Sequence, residues 1–437
     1  MKKARAFCLG LVLFCSACAA PSLRFKTEVN QLVSSGQFKQ AEEQILSKQK
    51  KYYKNKDAAL FYLDRASLLH DAGQPAESDQ LFSSAQDVID ALYAKSVTGS
   101  LGRLVINDLT APYYAANYER ALTYYYRAVN FLEQSDLASA AVEMRRAVFF
   151  LDELRGTKRS GYNDDPFVQY FASLIFESVG QRSDARICRQ NAQNAYERLG
   201  EKLKIAMPEF SVPANADAYG EVIFLHYNGR LPLKKTQTFQ VAWDRALAMA
   251  SSPAESTDHV APEVQNALAA GIYGSAVTLS FPVLENQPYR VASSWVLAGG
   301  QVYTTQKTAD FSALAKLDLE EKMPGILFRT ATRAVVKKVA AVQARHLAAS
   351  AADSDTTGDL AGMFVSALGA ALEKADTRQW FTLPAEVRMT RIFVKPGNQN
   401  IRVLFRDGNG NIIGEHTFEN ISVPRGGRVF LHYRTAY

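Results

Sequence analysis

The sequence predicts a multidomain chain, with an all-α helical-repeat half followed by an α+β half that ends in a small β-sandwich-like unit. Three observations predict this. From Phe25 to about Leu203 only Pro75, Pro112 and Pro166 interrupt a stretch rich in Ala, Leu, Gln and Glu, with apolar residues spaced near 3.6. Beyond Pro208 and Pro213, short apolar runs bounded by Gly and Pro take over, which is the pattern of strands. The chain has 437 residues, enough for about three domains at ~150 residues each. The boundaries fall at 1–17 for a cleaved leader, 18–24 for a short linker, 25–205 for the helical half, 206–375 for the α+β domain and 376–437 for a β unit packed on it.

The leader comes first. Lys2, Lys3 and Arg5 precede an apolar run from Leu9 to Phe14, and Ser16-Ala17-Cys18 follows. The run is too short for a bilayer span of roughly 20 residues and suits a signal h-region of ~7–15. This order resembles a bacterial lipoprotein signal cut before Cys18, which implies Cys18 as the lipid-bearing first residue of the mature chain. A plain secretory signal cleaved after Ala19 or Ala20 is the alternative. Ala19, standing where aspartate would resemble an inner-membrane retention signal, points to the periplasmic face of the outer membrane; periplasm or inner membrane remain alternatives.

Loss of Lys2, Lys3 and Arg5 takes the formal charge from +6 to +3, too mild for nucleic-acid binding. Cys8 and Cys15 leave with the leader, so Cys188 is the one cysteine of the body and no internal disulfide is expected. At a helical position between Ile187 and Arg189 it reads as a buried small hydrophobe.

In the helical half a turn pattern recurs: Gly36 with Ala41, Gly73 with Ser78, Ser135 with Ala140, Gly180 with Ala185. A small residue lets the first helix turn sharply, and a second small residue five positions on lets the pair approach closely. The pattern resembles the tetratricopeptide repeat, whose unit is about 34 residues. The turns lie 37, 62 and 45 residues apart, so an insertion interrupts the array, with 99–107 the candidate. Such an array offers a groove for partner proteins. Tyr118, Leu122, Tyr125, Val129 and Leu132 form a core stripe, whereas Tyr113, Tyr124 and Tyr126 fall off it, so some of them must face another element or a ligand.

In the second half, Gly220–Asn228 reads as a strand apolar enough for burial on both faces, with further strands at 276–282 and 290–297 and a helix over 326–349. Residues 360–372 carry no charge; Gly362, Ser366 and Ala370 give a small-residue stripe for a core helix or an assembly surface. Asp407, Asn409 and Asn411 have calcium-loop spacing, but Ile412 and Phe418 replace the required Gly and Glu, so a hairpin turn is expected. Phe-Leu-His-Tyr occurs twice, at 224–227 and 430–433, too short a match to argue duplication.

Gly220, Asn228-Gly229-Arg230, Thr332-Arg333-Ala334, Ala375-Asp376-Thr377-Arg378, Trp380, Leu383-Pro384, Arg388 and Arg391 resemble a family of uncharacterised bacterial lipoproteins. Its members pair tetratricopeptide-like repeats with such a C-terminal domain. The resemblance covers most of the chain and implies an architecture, with no activity attached.

The six histidines, at 70, 226, 259, 346, 416 and 432, lack metal-ligand spacing, and no Gly-x-Ser-x-Gly elbow, phosphate loop or dinucleotide fingerprint is present. No cofactor, metal or catalytic residue is therefore expected. The candidate site is Asp376, Arg378, Trp380, Arg388 and Arg391: either the arginines grip an anion while the tryptophan stacks, or the same groups pin a helix to a sheet. The expected function is a non-catalytic, membrane-tethered adaptor or assembly factor binding envelope proteins through the repeat groove. The alternatives are an envelope glycan hydrolase with carboxylates brought together by the fold, and a subunit of an outer-membrane secretion or surface-fibre complex.

Overall fold

Four turns of one design set the geometry of the helical half. Gly36, Gly73, Ser135 and Gly180 all adopt left-handed backbone, with φ of 75°, 70°, 59° and 76°. At each, the next residue's amide reaches back to close the helix end: Gln37 to Leu32, Gln74 to Leu69, Asp136 to Phe131 and Gln181 to Phe176, at 2.8–2.9 Å. That is the Schellman arrangement, which satisfies carbonyls a helix end would otherwise leave free. The turns join α1 (Leu23–Ser34) to α2 (Phe38–Ser47), α3 (Ala58–Asp71) to α4 (Pro75–Ser96), α5 (Asn117–Glu133) to α6 (Leu137–Gly156) and α7 (Pro166–Ser178) to α8 (Arg182–Leu203). Ala41, Ser78, Ala140 and Ala185 are all buried where the paired helices approach.

The computed structural model describes residues 22–96, 109, 111–156, 162–251, 276–352 and 374–437. The expected leader with Cys18, the insertion expected at 99–107 and the uncharged 360–372 segment lie outside the described residues. Successive pairs stack, α2 on α3, α4 on α5 and α6 on α7. Helix α3 is buried on almost every side, and α7 is buried along nearly its whole length. Asp165 caps α7 by accepting from the Val168 amide, and Pro166 fills the first helical position, where its missing N–H costs nothing. Cys188 is buried in α8, and burial pushes its thiol up to about 12, so it packs as a small hydrophobe.

The remainder is strand-rich. Strands β1 (Gly220–Asn228), β2 (Leu233–Ala242), β3 (Ala276–Glu285), β4 (Ser293–Ala298), β5 (Gln301–Thr304), β6 (Gln306–Asp310), β7 (Glu386–Val394), β8 (Gly397–Arg406), β9 (Ile412–Val423) and β10 (Arg428–Thr435) form two four-stranded sheets and one pair. The first sheet has order β10-β1-β7-β6 and the second β5-β4-β8-β9. Val222 and Phe224 of β1, Val296 of β4, Ile392 of β7 and Val403 and Phe405 of β8 share one core, so the sheets face each other as a sandwich. The other face of β1 presents Ile223, Leu225 and Tyr227 to the core of the helical half. All nine residues of β1 are buried, as its near-continuous apolar run requires.

This topology corrects two boundaries. The β unit expected at 376–437 is not separate: β1 lies between β7 and β10, and β4 pairs with β8, so strands from both sides of residue 375 interleave. The helix expected at 326–349 is α10 (Phe311–Ala352), which starts earlier and runs through Pro324. Pro324-Gly325 has the composition of a break, yet Phe311 and Leu314 pack in the main core and Ala331 and Val335 pack on α9 (Trp243–Ala250), so burial at both ends overrides it. The 407–411 turn is a hairpin, with Asp407 Oδ1 accepting from the amides of Asn409 and Asn411. Among the described residues, no helix is long and apolar enough to cross a membrane.

Candidate functional site

The feature that joins the two halves is the irregular stretch leading into β7. Residues 378–387 are all buried although 374–385 form neither helix nor strand. Buried irregular backbone must find partners for its amides and carbonyls. Here the helices supply them. The Trp380 amide donates to Glu119 Oε1 at 3.0 Å and the Phe381 amide to Asp64 Oδ1 at 3.1 Å. Lys26 Nζ donates to the Thr377 carbonyl at 2.7 Å. On the sheet side, the Leu231 amide donates to the Leu383 carbonyl and the Ala385 amide to the Asn228 carbonyl.

Trp380 is the plug. Its ring is fully buried against Phe82 and Tyr126, each 5.7 Å away between centroids, and its Nε1 donates to Ser67 Oγ at 3.1 Å. Tyr113, in the segment before α5, and Tyr126, off the core stripe of α5, face this seam: Tyr113 donates its hydroxyl to Glu119 and Tyr126 packs on Trp380. Tyr124 instead packs beside Phe150.

The electrostatics of the seam are those of enclosed pairs. Burial pushes the Asp64 carboxyl up to about 8, against hydrogen bonds from Tyr53, Thr382 and the Phe381 amide and the attraction of Lys26. Burial likewise pulls Lys26 down to about 8, opposed by Asp64 and Asp376. Neither group was singled out from sequence, although an acid at 64 inside a helix of mostly apolar neighbours was a visible signal.

The structure does not gather the five sequence candidates into one pocket. Arg378 is committed to Asp376 and Asp57, with Nη1 also donating to the Ala111 carbonyl at 2.8 Å. Arg388 points into the sandwich, pairing with Glu386 and Thr305. Arg391 points to the other face and pairs with Glu221, which also takes Arg428 of β10. The anion-gripping arrangement fails for a simple reason. Arg388 and Arg391 are three apart on one strand, so alternation puts them on opposite faces.

Two further polar groups escaped the sequence. Between the sheets, His226 Nε2 bonds Thr435 Oγ1 at 2.7 Å and its Nδ1 meets Ser294 Oγ at 3.0 Å, closing a fully buried network. On the helical side, His70 of α3, Glu133 of α5 and His432 of β10 bring potential ligand atoms within 4.8 Å of one another, the one group of metal-capable side chains among the described residues. Spacing could not reveal it, because the three lie on three separate elements. No protein-family model, curated protein or solved structure matches this chain.

Proposed function

We propose that this protein is a non-catalytic adaptor or assembly factor of a bacterial cell envelope, tethered by lipid on Cys18 and facing the periplasm from the outer membrane. The observation that carries the reading is the fate of the carboxylates at the seam. Asp57, Asp64, Glu119 and Glu221 engage arginines, tyrosines and backbone amides of the same chain, which makes the seam a joint between two halves. A joint of this kind holds two dissimilar surfaces in fixed relation, which is what an adaptor needs.

Four helix pairs with the same left-handed turn support reading the first half as tetratricopeptide-like repeats. The chain's own residues 378–385 occupy the side of the array that faces the sheet. Envelope partners are therefore assigned to the outward side, where Val142 and Phe149 of α6 stand 50% and 64% exposed, one heptad apart on one helix face. The test is a photocrosslinking residue placed at Phe149 in the full-length, signal-bearing chain in cells. A discrete crosslinked species that disappears with Val142→Asp is expected. Only diffuse background, equal to that from a probe at exposed Lys316, would count against the reading. Mass spectrometry of the mature amino terminus tests the anchor: a triacylated Cys18 is expected, and an unmodified terminus beyond Cys18 refutes it.

A further inference from the structure

We propose that His70, Glu133 and His432 form a site for a divalent transition-metal ion, zinc by its donor set, which ties the ends of helices α3 and α5 to strand β10. The three side chains sit where the helical half meets the edge of the first sheet. His70 is fully buried, with Tyr126 and Tyr227 at 5.0 and 5.6 Å from its ring. Glu133 lies at the rim, with a side chain 22% exposed.

His70 is prepared as a ligand. Its Nδ1 lies 2.6 Å from Asn130 Oδ1, and Asn130 is oriented by its own Nδ2 donating to Ser78 Oγ at 2.9 Å. That fixes the tautomer: Nδ1 carries the proton and Nε2 keeps a lone pair. Such an outer partner on the second ring nitrogen accompanies almost every metal-binding histidine. Among the described residues, the buried Nε2 atom of His70 meets no hydrogen-bond partner.

The neighbourhood carries the same signature. Among the described residues, seven of the fourteen buried side-chain polar atoms without a hydrogen-bond partner belong to His70, Asp71, Gln74, His432 and Arg434. Native interiors hold few such atoms, and here they concentrate at one place. Acceptors dominate on the helical side: His70 Nε2, Asp71 Oδ1 and Gln74 Oε1. Arg434 lies 3.8 Å from Asp71, so the local cation already has a carboxylate, whereas Glu133 meets the His432 imidazole. Two imidazoles and one carboxylate are the ligands of a zinc site that leaves its fourth position to water.

One adjustment is required. The His70 and His432 rings stack, 4.3 Å apart and 14° from parallel, so both lone pairs cannot aim at a single ion. Tetrahedral ligand atoms at ~2.0–2.1 Å from zinc lie ~3.4 Å from one another. His432 must therefore turn about its χ2, which disturbs its contact with Glu133 Oε1, while its Nδ1 has no bond to lose. Binding thus exchanges the ring stack for coordination.

The experiment uses the untagged mature chain, stripped with a chelator and titrated with Zn²⁺ in competition with a chromophoric chelator. One equivalent is expected to bind, and Co²⁺ in its place should give the visible absorption of a tetrahedral ion. Glu133→Gln and His432→Gln, at the more accessible side, are expected to weaken Zn²⁺ binding at least tenfold while the metal-free far-UV circular dichroism stays unchanged. Failure of the wild-type chain to retain Zn²⁺ overturns the proposal. So does equal Zn²⁺ affinity in folded Glu133→Gln and His432→Gln proteins. Because His70 is buried, His70→Gln is read only if it folds.

Discussion

Arg378 and Asp57, 321 positions apart in sequence, meet at 2.9 Å in a contact that is almost wholly sealed from solvent. The guanidinium has no idle side: Asp376 takes Nε and Nη2 and the Ala111 carbonyl shares Nη1. The pair is where the stretch before β7 is bolted to the helices, and it sets the first expectation.

Arg378→Ala should leave Asp57 buried and unpaired, at a cost of about 3–5 kcal/mol. Urea unfolding followed by circular dichroism should show a lower midpoint with unchanged slope. A midpoint within error of wild type would mean that the pair contributes nothing to holding the halves together.

Trp380→Ala should cost about 3–5 kcal/mol, the range for deleting a large core aromatic. Trp380→Phe keeps much of the ring but loses the bond to Ser67, so a smaller loss is expected. Native tryptophan emission should also shift to the red in Trp380→Phe, since its most enclosed indole is then gone. Unchanged emission would contradict the burial.

His226 supplies a pH dependence of definite sign. Burial, reinforced by repulsion from Arg388 and Arg434, pulls its imidazole from 6.5 down to about 3. The unfolded chain therefore binds a proton that the folded chain refuses. Its contribution is complete above about 6.5 and drains away as pH falls toward 3. Comparing wild type with His226→Gln removes the opposing effects of other groups. The wild-type stability should fall more steeply over this window, by ~1.4 kcal/mol per pH unit at most, for the one extra proton. Parallel curves from urea titrations at pH 4–7 would refute this.

Ser135 occupies the left-handed position that Gly36, Gly73 and Gly180 fill in the other three turns. A side chain there costs about 1 kcal/mol, so Ser135→Gly should raise stability by up to that amount. Gly36→Ala and Gly180→Ala should lower it by a similar amount, for conformational reasons, because an added Cβ meets nothing within 4 Å among the described residues. Thermal unfolding of the three variants decides the sign.

Much of the helical half was legible because its signals are local. A left-handed turn wants Gly or a small polar residue whatever surrounds it, and the next helix shows its buried small residue five positions on. The candidate site was legible only in part. Asp376 and Arg378 are close in sequence and do pair, and Trp380 does enter the core. Their helical partners Lys26, Asp57, Asp64 and Glu119 were not foreseen, because each looks like an ordinary helical polar residue until the segment near 380 arrives.

The two copies of Phe-Leu-His-Tyr mark the division. The sequence by itself determined that both would be strands, through apolar and aromatic content and flanking glycines. The tertiary structure decided which way they face. β1 and β10 run parallel with Ile223 opposite Phe430, so the identical tetrapeptides are one residue out of step. Side chains alternate with a period of two, and a one-residue offset reverses every one of them. His226 therefore turns into the sandwich and is fully bonded, while His432 turns toward the helices and stacks on His70. Strand register is set by neighbours about two hundred residues away, and no local pattern contains it.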